Sequence, residues 1–116
     1  MSLTPKSRIY RVRGITSAQE QAIRDYLQGA VRTWCAAGKK GRQFAARDLV
    51  GGINYDWRKT PLDALYQKHI QKGKNHQDAV KAAGRDLGWL LKAVLNEDDR
   101  MFKVGDAGRA KGYTWI

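Results

Sequence analysis

Apolar residues recur at intervals of three and four positions along two long stretches of the chain. In the first stretch, residues 23–35, this spacing puts the apolar side chains on one face of a helix of about five turns. The second stretch, residues 79–95, repeats the same pattern. We therefore predict helices over 17–37 and 76–96, and we expect their apolar faces to form the main core.

The predicted helix over 76–96 has two features that are unfavourable for a helix. Gly84 and Gly88 lie one turn apart in its interior, where each glycine costs about 1 kcal/mol. Three acids, Glu97-Asp98-Asp99, follow its end, where their charge opposes the helix dipole. We expect the glycines to permit a close crossing with another helix and the acids to form a solvated turn.

Two shorter helices are predicted between the long ones. Residues 45–51 fit one or two turns, and they end at paired glycines that leave the backbone too free to continue a helix. Thr60 is a capping residue, and Pro61 follows it at the first helical position. These signals predict a helix over 60–72, with Lys68 away from its apolar face.

Short strands are predicted near both ends of the chain. Residues 8–13 alternate loosely between apolar and basic side chains, which is typical of a strand. Residues 101–104 and 113–116 flank a glycine-rich basic loop and predict a C-terminal hairpin. The chain is therefore expected to be a single domain over 1–116, mainly α with a small β component, an α+β class.

The chain has a large excess of positive charge. Twenty-two Lys and Arg residues stand against 11 Asp and Glu, and the formal net charge is +11. Such a field attracts polyanions, and nucleic acid is the commonest of these. A membrane surface is a weaker interpretation, because no segment pairs a basic face with a large exposed apolar face. The remaining alternative is a soluble protein that is merely basic.

The sequence also bears on the compartment. The first residues lack the apolar core of a signal peptide, and no stretch reaches the roughly 18 to 20 apolar residues of a spanning helix. The single cysteine, Cys35, lies on the apolar face of the predicted helix over 17–37. We expect a cytoplasmic protein in which Cys35 is a core residue, with redox or nucleophilic chemistry as the alternative.

The order of elements over 44–116 resembles that of the winged helix-turn-helix proteins. A short helix ending at residues 49–51 is followed by further helices, and the hairpin with its loop over 105–112 stands where that family has its wing. The resemblance implies that one helix reads the major groove of DNA while the wing contacts the backbone or the minor groove. The chain differs from the family in having two helices, over 60–72 and 76–96, where one is expected.

One face of the predicted helix over 76–96 carries basic residues. At roughly 100° per residue, Lys81, Arg85 and Lys92 lie within about 40° of one another and nearly opposite the apolar face. Trp89 falls on the same outer half, where it would stack or wedge between phosphate-binding cations. The alternative is that another element, such as segment 8–13 or the loop over 55–57, covers Trp89.

A second candidate surface lies before the predicted helix over 60–72. Tyr55 and Trp57 are followed by two basic residues, a composition that suits single-stranded or distorted nucleic acid with bases free to stack. The alternative is that Trp57 fills the core beside Pro61. The candidate residues of this surface are Arg47, Trp57, Arg58 and Lys59.

A third candidate surface is the loop of the hairpin. Arg109 and Lys111 lie there among three glycines, with too few apolar residues to pack, and we expect them to contact phosphate. Tyr113 and Trp115 share one face of the last strand and are expected to face the core.

Catalytic residues are not indicated. His69 and His76 lack the partner spacing of a zinc site. Asp48, Asp56 and Asp63 have no spacing typical of a magnesium-dependent nuclease, and each fits a cap or turn. The loop over 105–112 also lacks the arrangement of a phosphate-binding nucleotide loop. We therefore expect no enzyme activity, no metal and no cofactor.

These patterns together favour a non-catalytic protein that binds nucleic acid, above all duplex DNA, through a basic helix and a basic wing. The alternative is a protein-interaction module or small adaptor with Trp89 or Trp57 as its anchor. RNA binding through the aromatic loop is a third hypothesis, and a homodimer remains open. The candidate nucleic-acid-binding residues are Lys81, Arg85, Trp89, Lys92, Arg109, Lys111, Arg47, Arg58, Lys59 and Trp57.

Overall fold

The computed structural model of the protein describes residues 2–5, 8–38, 40–51, 57–108 and 110–116. Helices take up 53 % of the described residues, and four short strands among them form one sheet. The α+β class with a C-terminal hairpin is therefore confirmed. None of the helices in the described ranges is both long and apolar enough to cross a membrane.

Two long helices form the centre of the fold. Helix α1 spans Ser17–Ala36, and its first turn is closed by a capping box in which Thr16 and Gln19 exchange hydrogen bonds of 2.9 and 3.0 Å. Two shorter helices follow, α2 over Ala46–Val50 and α3 over Asp63–Gln71. Helix α4 spans His76–Glu97, and Asn75 caps it by accepting a hydrogen bond from the Asp78 amide.

Helix α3 begins three residues later than its start signal predicts. The Thr60 hydroxyl donates to the Trp57 carbonyl at 2.9 Å and accepts from the Leu62 amide at 3.2 Å, so residues 57–62 form turns that precede the helix. Within α3, the prediction that Lys68 points away from the apolar face is wrong, because this residue is only 8 % exposed.

The sheet has the strand order β1-β3-β4-β2. Strand β1 is Leu3–Thr4, β2 is Gln43–Phe44, and β3 (Phe102–Ala107) and β4 (Ala110–Trp115) form the hairpin. Strand β1 runs parallel to β3, whereas β2 runs antiparallel to β4. The prediction of a loop over 105–112 is wrong, because residues 105–107 belong to β3 and pair with residues 110–112 of β4.

A glycine of β4 lets the sheet close tightly around Gln43. A Cβ at Gly112 would lie 2.5 Å from the Gln43 Nε2 atom, so a larger residue would displace this side chain. The same Gln43 Nε2 donates to the Asp106 carbonyl at 3.2 Å. Strand β2 is thereby tied to the outer half of the hairpin as well as to β4.

The N-terminal segment 8–13 is not a strand, so that prediction is wrong. It runs without regular structure along α4, with Val12 buried in the core. Its backbone is held by two lysines, because Lys92 Nζ donates to the Arg8 carbonyl at 3.3 Å and Lys68 Nζ donates to the Arg13 carbonyl. Both carbonyls thereby gain partners that a neighbouring strand would otherwise supply.

The core lies between α1, α4 and the inner face of the sheet. Its largest fully buried side chains include Phe44 and Phe102, whose rings meet edge to face at 6.1 Å. Leu27 of α1 and Leu91 of α4 are also fully buried. Cys35 is buried in this core, where burial raises the pKa of its thiol and disfavours the reactive thiolate.

Candidate nucleic-acid interface

A groove of about 610 Å³ opens between α2, α3 and α4. Of the ten sequence-predicted residues, it brings together Arg47, Trp57, Arg58 and Lys81. Most of its remaining wall is apolar. The other lining residues include Asp63, Tyr66, His76, Val80, Gly84 and Leu87.

Arg47 connects this groove with the hairpin. It belongs to α2, is exposed, and donates from its guanidinium to the Ala107 carbonyl at 3.5 Å, at the end of β3. The short helix α2 is fixed in turn by Asp48, whose carboxylate accepts from the Ala45 amide at 2.8 Å. The groove and the hairpin tip therefore form one continuous surface, which the sequence pattern alone does not show.

Aromatic side chains form part of the groove wall. The Tyr66 hydroxyl lies 2.9 Å from His76 Nδ1, which links α3 to the first turn of α4. Trp57 is partly buried, and within the described part of the chain its indole nitrogen finds no hydrogen-bond acceptor. Tyr66 and His76 were not predicted for this surface, because no local spacing places residues ten apart on the same wall.

The expectation that Gly84 and Gly88 permit a close helix crossing is wrong. A methyl group at either position would have no atom of the described residues within 4 Å. Gly84 is exposed and lines the groove, whereas Gly88 lies one turn further along α4. These glycines therefore leave open space on the outer side of α4.

The predicted basic face of α4 is divided between two environments. Lys81 and Arg85, in its first half, are exposed. Lys92, in its second half, is only 6 % exposed, so the prediction that it faces outward is wrong. The physical reason is that segment 8–13 covers this part of α4. There the Lys92 ammonium donates a hydrogen bond to the Arg8 carbonyl.

Trp89 is covered by the same segment. Its ring lies 4.3 Å from that of Tyr10, and Lys92 Nζ is 5.2 Å from the Trp89 ring centre. The alternative in which the N-terminal segment covers Trp89 therefore describes the structure better than an outward stacking residue. The hypothesis of a protein-interaction module also loses Trp89 as an exposed anchor.

Lys92 also interacts electrostatically with the hairpin. Burial lowers the pKa of Lys92, and the nearby positive charge of Lys111 lowers this pKa further. Lys111 itself is exposed and forms a weak ion pair at 3.5 Å with Asp106 across the hairpin. Lys92 and Lys111 therefore lie close enough for their charges to interact, although Lys92 is buried and Lys111 is exposed.

The remaining predicted residues lie at different distances from the groove. Arg58 is exposed at its edge, while Lys59 is exposed but is not part of the lining. The side chain of Arg109 and the residue Tyr55 lie outside the described residues.

A charged cluster that the sequence analysis missed fixes α3 against α4. The Asp86 carboxylate lies 2.7 Å from Lys68 Nζ and 2.8 Å from His69 Nε2. His69 Nδ1 is in turn 3.2 Å from Lys74 Nζ. The cluster positions the two helices that form one side of the groove. In the described part of the chain, no group of three potential metal ligands is present.

Asp98 is buried, so the predicted solvated turn after α4 is wrong at this position. It is 8 % exposed and accepts hydrogen bonds from Gln28 at 2.8 Å and from the Arg100 amide at 2.8 Å. Burial alone would raise the pKa of Asp98, but these hydrogen bonds and the charge of Arg100 outweigh it and lower the pKa. The turn therefore anchors α4 to α1.

Comparisons with known proteins give no relative for this fold and surface. No protein-family model matches the chain, and neither a curated protein nor a solved structure matches it. The function must be argued from the chain's own residues.

Proposed function

We propose that the protein is a non-catalytic DNA-binding protein that contacts duplex DNA with the groove edge and the hairpin. The observation that carries the proposal is the position of Arg47. This residue lines the groove together with Arg58 and Lys81 and also donates to the Ala107 carbonyl at the hairpin tip. Arg47 therefore links the cations of the groove edge to the hairpin.

Such an arrangement suits the geometry of duplex DNA. A helix that presents basic residues on its outer side can follow a groove, and a hairpin beside it can contact the neighbouring phosphates. We assign the first role to the exposed half of α4 around Lys81 and Arg85, and the second role to the hairpin with Lys111. This use of the two elements is the one that the winged-helix resemblance implies.

The charge of the whole chain favours the same partner. A net charge of +11 supplies long-range attraction to a polyanion, and exposed cations adjoining the hairpin direct that attraction to one surface. We also propose a cytoplasmic location, in which the buried thiol of the single cysteine would stay reduced.

Binding to a fluorescent DNA duplex of about 20 base pairs, measured by anisotropy at low salt, tests the proposal. We expect Arg47→Ala combined with Lys81→Ala to weaken binding by at least about a hundredfold, because each of the two charge-assisted contacts contributes roughly 1.5 to 3 kcal/mol. The matched control is Arg32→Ala combined with Lys72→Ala, which removes two exposed cations that do not line the groove. Equal losses in the two double variants would show that only overall charge matters, and absence of binding by the unmodified protein would overturn the proposal.

A further inference from the structure

We propose that the groove between α2, α3 and α4 receives one unpaired nucleotide, with its base against the apolar wall and its phosphate at the basic edge. This inference rests on the proposed DNA-binding function and gives the groove a role of its own. Paired bases within a duplex are stacked and cannot enter a lateral groove, whereas a bulged or flipped base can.

The dimensions and the wall of the groove suit a nucleobase. Its volume of about 610 Å³ lies within the range of roughly 300 to 1,000 Å³ that is typical of small-molecule sites. Trp57, Tyr66 and Leu87 supply aromatic and aliphatic surface on which a flat ring can stack. Such stacking tolerates any base, because every base has a π face.

Trp57 contributes a ring to the groove wall and not a hydrogen-bond donor. Its indole nitrogen is buried, finds no acceptor within the described ranges of the chain and is closed to solvent. Because the residue lines the groove, a base bound there would contact Trp57 by stacking on its ring.

The charges at the edge select an anionic ligand. Among the described lining residues, the cations Arg47, Arg58 and Lys81 outnumber the single carboxylate, that of Asp63. An acidic peptide would satisfy the same charges, but an acidic side chain carries no flat ring to stack on the aromatic wall. A nucleotide supplies a phosphate and a flat base in one unit.

A larger residue in place of Gly84 should block the groove without disturbing the fold. It is exposed on α4, and a Cβ added there would meet no atom of the described residues within 4 Å. A leucine at this position projects from the groove wall into the space that the base would take. Gly88 offers the same open surroundings one turn away but is not among the lining residues, so it is the matched control.

The experiment compares a fully paired DNA duplex with the same duplex carrying one bulged 2-aminopurine. We expect the unmodified protein to bind the bulged duplex about tenfold more tightly, an effect of the size that base stacking on an aromatic side chain produces. Binding should also quench the fluorescence of the bulged base and shift one indole N–H resonance of uniformly ¹⁵N-labelled protein. Gly84→Leu should abolish the preference, the quenching and the shift, while Gly88→Leu should retain all three. Melting temperatures of both variants at or above that of the unmodified protein are the control for folding.

The outcomes separate this inference from the proposed function. Equal affinity of the unmodified protein for both duplexes overturns the inference and leaves duplex binding standing. A preference that survives Gly84→Leu also overturns it, because the base must then bind elsewhere and the groove serves another ligand, such as an acidic peptide. Failure to bind either duplex overturns the proposed function itself.

Discussion

Two buried charged residues, Asp98 and Lys92, show how individual side chains hold the C-terminal half of α4 in place. Asp98 accepts hydrogen bonds from Gln28 of α1 and from Arg100, and the Arg100 guanidinium lies 3.0 Å from its carboxylate. Lys92 donates to the backbone of the N-terminal segment. Because folding lowers the pKa of each, both residues make stability rise with pH: Asp98 gains a favourable negative charge, and Lys92 loses an unfavourable positive one.

For Asp98, we expect Asp98→Asn to lower the free energy of unfolding at neutral pH by about 2 kcal/mol, since charge-assisted hydrogen bonds are lost. The folded-state pKa is depressed, so this stabilisation is present above the unfolded value of 3.8 and disappears as pH falls through the folded value. Urea unfolding of both proteins from neutral pH into the acid range measures this difference. A difference that stays constant below the unfolded pKa would contradict the role given to Asp98.

For Lys92, we expect the protein to gain stability relative to Lys92→Met as pH rises towards 10.5. The depressed pKa means that folding disfavours the charged amine, so this cost is full below the folded pKa and vanishes above the unfolded value of 10.5. Urea unfolding at increasing alkaline pH, with the exposed Lys103→Met as control, measures the trend. If the two lysine variants show the same pH trend, the burial of Lys92 has no energetic consequence.

The burial of these residues could not be predicted from sequence. A helical projection places Lys92 opposite the apolar face of α4, and that placement is correct as far as the helix alone is concerned. The face is covered because the segment 8–13, distant in sequence, lies across it and offers carbonyl groups to the lysine. Periodicity describes one element at a time, whereas Asp98 and Lys92 are buried by contacts between elements.

At the scale of elements, replacing the two internal glycines of α4 should stabilise the fold. Gly84→Ala and Gly88→Ala should each raise the free energy of unfolding by up to about 1 kcal/mol, because both positions are helical and a Cβ meets open space. Chemical denaturation of each single variant, with no change expected in the slope against denaturant, checks this result. A loss of stability in either variant would mean that a neighbour approaches the glycine more closely than the structure shows.

The elements themselves were easier to predict than their surroundings. The apolar spacing in α1 and α4 persists over many turns, so the predicted spans 17–37 and 76–96 lie within one residue of the observed ends. The sequence predicts the hairpin, but with strands that are too short, because Gly105 and Gly112 are residues typical of a loop. They pair with each other across the strands, where the Gln43 side chain packs on Gly112.

The two sides of the molecule have different roles. The core between α1, α4 and the sheet fixes the hairpin, while α3 packs against the first half of α4 and the groove opens between these two helices and α2. The sequence suggested three separate basic surfaces, on α4, before α3 and on the hairpin. Only the fold shows that Arg47 connects parts of all three, because α2 reaches the hairpin tip.

The most direct test of this account is the salt dependence of duplex binding, plotted as log affinity against log salt concentration. Each phosphate contact contributes roughly 0.9 to the slope for duplex DNA. We predict that Arg47→Ala combined with Lys81→Ala lowers the slope by about 1.8 and that Lys111→Ala lowers it by about a further 0.9. The double variant of Arg32 and Lys72 should keep the slope of the unmodified protein. Slopes that fall equally in the groove and control variants, or in neither, would contradict the claim that the groove edge and the hairpin form the DNA-binding surface.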